Sequence, residues 1–163
     1  MLDNRAADLK TRYTHALDAA MAEVESLNAA SLRRRCSAQQ CSAAALACHI
    51  AGVHATVAGW VQAILAGEAL PSIAMADIDR SNAEQAALND QIGKDEVLGR
   101  LRTSGEVMTA ALGGLHDDDL ARTKPFTLSG GDVSVQTLVE QAVIAHTAEH
   151  LASIRAAVAT DGA

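Results

Sequence analysis

From Cys41 to Gly67 the chain carries no Asp, Glu, Lys or Arg. A helix that is apolar all round has no face for water, so such a run is either buried in protein or spans a membrane. His49, His54 and Gln62 interrupt it, and much of the remainder is Ala and Gly rather than Leu or Ile. These features favour a helix buried in a bundle or a subunit interface. The rest of the chain must then supply the surfaces that cover it.

It has the composition to do so with helices. Ala occupies 35 of the 163 positions while aromatic residues make up 2%, and Ala is the best helix former whereas strands favour β-branched and aromatic side chains. The expected class is all-α, in a single domain over 1–163, long enough to enclose one core. Thirteen basic against 20 acidic side chains leave a formal charge of −7, which argues against nucleic acid as a partner. Arg33-Arg34-Arg35, the one dense basic run, reads as a solvated connection. The three cysteines, Cys36, Cys41 and Cys48, form no CxxC pair and are odd in number. With no apolar leader at the N-terminus, they suggest free thiols in a reducing cytoplasmic compartment.

Spacing of apolar residues predicts four helical stretches. The first runs roughly from Asp3 to Asn28 on Leu9, Tyr13, Leu17, Ala20, Val24 and Leu27. Ser37 or Ser42 can cap the second, which continues to about Leu65 before Gly67 and Pro71 stop it. A loop is expected from Glu68 to about Asp79. The third stretch spans roughly Ser81 to Leu115 with a break near Gly93, and His116 to Leu120 is expected to start a short helix on its carboxylates. Thr123 to Val133 holds Pro125, Ser129, Gly130 and Gly131 and reads as an irregular loop. Ser134 then caps a last helix from Val135 to about Thr160. Four long helices in one domain of this size make a bundle the default.

The strongest local motif is His146-Thr147-Ala148-Glu149-His150. Residues four apart share a helix face with Cβ atoms about 5–6 Å apart, so both imidazoles can reach one ion. Six His in 163 residues would produce about 0.2 such pairs by chance, so the pairing demands a reason. The pair continues the apolar stripe Val139, Val143, Ile154 and Ala157 and therefore faces the core. Metal ligation is one reading, and a pair of hydrogen-bonded core histidines is the alternative. His49 lies in the stripe Ala45, Leu46, Val53, Trp60 and Ile64 and also points inward, making it the third candidate ligand. His54 lies five residues on, about 140° round the helix, and is expected on the opposite face, exposed or in an interface. His15 and His116 read as surface residues, and Cys41 and Cys48 as core rather than ligands. Glu149 points away from the pair and Arg155 toward solvent.

One His in the second helix and His-x3-His in the last resemble the DinB/YfiT-like superfamily, which includes mycothiol-dependent enzymes. The likeness also covers Cys48-His49-Ile50-Ala51-Gly52, Glu96 through Leu101, Leu115 to Leu120 and Ser134 through Arg155. It implies an up-down-down-up four-helix bundle, frequent homodimers, and a divalent ion, zinc or nickel, on His49, His146 and His150. Members include transferases using a low-molecular-weight thiol, and hydrolases. The implied activity is therefore a metal-dependent thiol transferase on a small-molecule substrate, with a hydrolase or a non-catalytic metal- or small-ligand-binding protein as alternatives. One departure stands out: many relatives carry Trp eight residues before the helix-2 His, where this chain has Cys41. A relative's substrate preference is therefore not transferred.

Overall fold

The computed structural model describes residues 4–159 and is mainly helical. Helix α1 (Arg5–Ser26) buries Leu9, Tyr13, Ala20 and Val24, the stripe its spacing predicts. A single turn, α2 (Ala29–Leu32), follows, with the Asn28 side chain accepting from the Ser31 amide at 2.8 Å. The arginine run then enters a minimal antiparallel pairing of β1 (Arg35–Cys36) with β2 (Cys41–Ser42). Of the two candidate caps Ser42 is the one used: its Oγ accepts from the Ala45 amide at 3.1 Å and starts α3 (Ala43–Ala66). Gly67 ends that helix at φ 79°, a left-handed conformation in which a Cβ would be strained. α3 is the charge-free segment, and most of it is buried against neighbouring helices, as its composition requires.

The expected third stretch is two helices, α4 (Met75–Asn89) and α5 (Lys94–Gly113), with Gly93 at the start of the second. α4 begins earlier than the expected Ser81. Asn89 is the one residue of α4 that is buried, so the helix has no apolar stripe by which its start could be read. α5 packs along both α1 and α3. At Gly105 the α1 contact is so close that a Cβ would lie 2.5 Å from Leu17 Cδ2.

A short 3-10 turn, Asp117–Ala121, meets the expectation at His116 to Leu120. The expected irregular loop is instead a hairpin: β3 (Thr123–Phe126) pairs antiparallel with β4 (Gly131–Ser134) in the register Thr123 to Ser134 and Phe126 to Gly131. A two-stranded ribbon has only edges, so Pro125 removes no interior ladder bond, and Gly130 at φ 69° serves the turn. Phe126 and Val133 alone are buried there, too little for a period-two pattern.

Ser134 Oγ accepts from the Thr137 amide at 3.0 Å and opens the last helical run. It comprises α6 (Val135–Val139), a π-helical turn (Glu140–Ala145) and α7 (His146–Ala159). The expected helix limits at Asp3 and Thr160 lie outside the described residues. Buried residues fall into two apolar clusters. One gathers Leu27, Leu32, Ile50, Leu101, Leu151 and Ile154. The other gathers Leu9, Tyr13, Val61, Met108, Phe126 and Val143. Along α5 the buried Ser104 falls between Leu101 and Met108, and along the last helical run the histidine turn falls between Val143 and Leu151. A polar layer thus crosses the core where the clusters meet.

Candidate metal centre

His49 projects from α3, and His146 and His150 from the first turns of α7, a helix that packs against α3. Nε2 of His146 lies 3.2 Å from Nε2 of His49 and 2.9 Å from Nε2 of His150. One ligand atom from each ring falls within 4.8 Å of the other two. The structure thus brings together the three histidines that the sequence singles out.

Imidazole chemistry decides whether this cluster suits a cation. Each neutral ring carries one N–H and one lone pair. The Nδ1 atoms of His146 and His150 are buried without a hydrogen-bond partner in the protein. If the protons sit there, bare lone pairs face one another at Nε2; if one sits on His146 Nε2 instead, it can donate to only one of the two neighbouring nitrogens. A shared cation removes the conflict in the first case. A tetrahedral ion with bonds of about 2.0–2.1 Å holds its nitrogens roughly 3.3–3.4 Å apart. The His49–His146 spacing of 3.2 Å is close to that, and the His146–His150 spacing of 2.9 Å is shorter. Among the described residues no Cys, Asp or Glu joins the group.

The rings are also in the right protonation state. Burial, with the charge of His146 second, lowers His49 to about 4. Burial lowers His150 to about 3, with His146 and His49 adding to it, and burial lowers His146 as well. All three are neutral near pH 7, as ligation requires. The π-helical turn ends where His146 begins, and such turns alter the phase of the residues that follow them.

His54 does not lie on an exposed face. It is completely buried, its Nε2 2.8 Å from Thr147 Oγ1 and its Nδ1 3.3 Å from Tyr13 Oη. The expectation failed because α3 is enclosed on several sides by α1, α5 and α7. Turning about 140° from His49 reaches a second buried face rather than water. The absence of charge from Cys41 to Gly67 was the sign that no side of this helix meets solvent. His15 and His116 are exposed, and Cys41 and Cys48 are buried free thiols, as expected. Burial pushes the Cys48 thiol up to about 11, so it stays protonated at neutral pH. Glu149 is exposed, and Arg155 reaches outward to pair with Glu23 at 2.5 Å.

His49 and His146 line one end of a cleft of about 1030 Å³. Its walls come from α3, α4 and α5, with Leu128 of the hairpin turn closing one side. Trp60, packed edge-on against Phe126 at 4.9 Å, is part of its apolar lining. The family model described as the DinB superfamily matches residues 12–154, which include all three histidines and every wall of the cleft. The chain belongs to the DinB superfamily. No curated protein and no solved structure matches it. In this DinB-superfamily chain the sequence reading missed the polar cleft wall, above all Arg100 and Asn89. They come from two helices, and no spacing in the sequence connects them.

Proposed function

We propose that this DinB-superfamily protein holds a divalent ion, zinc or nickel, on His49, His146 and His150, and that it is a transferase using a low-molecular-weight thiol. The convergence of three neutral imidazole nitrogens at the end of a large cleft carries this proposal. Three protein ligands with a free position are the pattern of catalytic sites, while structural sites are closed by four. When bound, the ion supplies a Lewis acid that lowers the pKa of a coordinated thiol or water. Three neutral rings bring no countercharge, so they leave the position facing the cleft to an anion such as a thiolate. Val53, Val57 and Trp60 are among the apolar residues that line the same cleft. Glu96 is the one carboxylate among the described lining residues, and Arg100 Nη2 engages it at 2.8 Å. The same proposal takes α1, α3, α5 and the run ending in α7 as an up-down-down-up four-helix bundle, since α5 touches α1 and α3 while α7 touches both from the other side.

The test is metal content and thiol binding of untagged protein. One ion per chain is expected in the wild type, with strong loss in His49→Ala, His146→Ala and His150→Ala but little loss per folded molecule in His54→Ala. Cobalt-substituted protein should change its absorption spectrum when titrated with a thiol. Full occupancy in His49→Ala would overturn the ligand set. Spectra indifferent to every common cellular thiol would overturn the transferase.

A further inference from the structure

We propose that the molecule bound in this cleft carries a carboxylate, which the guanidinium of Arg100 receives in a plane set by Asn89. The inference rests on the cleft being the substrate site, as argued above, and names the class of substrate it takes. Arg100 and Glu96 are the only Asp, Glu, Lys or Arg side chains among the described residues that line the cleft. In a chain of formal charge −7, Arg100 is therefore the cleft's single cationic side chain.

Its placement is built rather than incidental. Asn89 is 6% exposed and the one buried residue of α4. Its Nδ2 donates to the Gln85 carbonyl at 2.8 Å, which leaves Oδ1 to accept from Arg100 Nη1 at 2.8 Å. A buried amide with both ends satisfied thus fixes one edge of the guanidinium across the α4–α5 junction. Glu96 engages the other terminal nitrogen from one turn before Arg100, but its side chain is 61% exposed. Exposed pairs of that kind contribute little, so an incoming carboxylate can displace it. A guanidinium has five N–H groups in a planar fork that matches carboxylate geometry; Asn89 and Glu96 use two of them, and the Cys48 thiol is a further hydrogen-bonding neighbour. One guanidinium opposed by one carboxylate suits a monoanion better than a phosphate dianion. The apolar wall of Val57, Trp60 and Val107 suits a hydrocarbon segment beside that carboxylate.

Trp60, the only tryptophan of the chain, lines the cleft and reports its occupancy by fluorescence. Hexanoate and its uncharged counterpart hexanamide would be titrated against chelated and zinc-loaded full-length protein. In both forms hexanoate should bind about tenfold more tightly, the ratio expected of one charge-assisted bidentate contact. Arg100→Gln should abolish that ratio, chiefly through the loss of hexanoate affinity. Glu96→Gln should raise the affinity for hexanoate, an increase that damage to the fold would not produce. Equal binding of the two probes, no binding of either, or a preference that survives Arg100→Gln would each overturn the assignment. A preference seen only with zinc and kept in Arg100→Gln would place the carboxylate on the ion, against Arg100 but in favour of the metal site. A preference that depends on Arg100 in protein that takes up no zinc would leave this inference standing and remove the metal.

Discussion

His54 uses both ring nitrogens, toward Thr147 and Tyr13, and has no solvent contact. Burial, with the charge of His146 second, lowers its pKa from 6.5 to about 4. The consequence for stability has a definite sign. Below pH 6.5 an unfolded chain binds a proton at this position, while the folded chain accepts it only near 4. Acid therefore favours unfolding across that window. His49 and His150 act in the same direction, since burial lowers both. Urea unfolding of chelated protein should show stability falling between pH 6.5 and about 4. At pH 7, His54→Ala should cost roughly 3 kcal/mol, because it opens a cavity and leaves Tyr13 Oη and Thr147 Oγ1 unpartnered. The variant should also have a shallower pH slope. A variant as stable as the wild type, with the same slope, would show that His54 carries neither effect.

At the level of elements, α1 presses on α5 at Gly105, where a Cβ would lie 2.5 Å from Leu17 Cδ2 and 3.3 Å from Leu17 Cγ. Ala at an open helical site gains about 1 kcal/mol over Gly. Here the added methyl forces Leu17 out of place, at a cost of about 1–3 kcal/mol. Gly105→Ala should thus be neutral to destabilising despite its better helix propensity. In a Leu17→Ala background the same change should stabilise by about 1 kcal/mol. A double-mutant cycle by chemical denaturation tests the pair, and additive energies would mean that α1 does not press on Gly105.

For the whole molecule, the proposed ion would tie α3 to α7 across the layer between the two apolar clusters. Binding to the folded state alone stabilises by about 2.7 kcal/mol at a free-metal concentration 100 times the dissociation constant. For a chain of this size that corresponds to a melting shift of about 5–10 °C. Chelation should lower the melting temperature by that amount while leaving the far-ultraviolet dichroism at 25 °C unchanged, because neither cluster depends on the ion. Unaltered melting in protein proven to have lost its metal would exclude a bridging site.

The helical class, the buried α3, the Ser42 and Ser134 caps and the inward-facing His49, His146 and His150 were legible in the sequence. Each is expressed locally, in propensity, in the side chain one to three residues away, or in a period of about 3.6 along one helix. What the tertiary structure alone decided was everything that depends on who stands opposite. The hairpin at Thr123–Ser134 has two buried side chains, too few to show a period. The start of α4 has no stripe because that helix buries only Asn89. His54 was expected exposed or in an interface because a helical wheel assumes one buried face, whereas α3 is covered by several partners at once. Arg100 and Asn89 became a site only when α4 folded back on α5, since a hydrogen bond between two helices leaves no spacing in either of them.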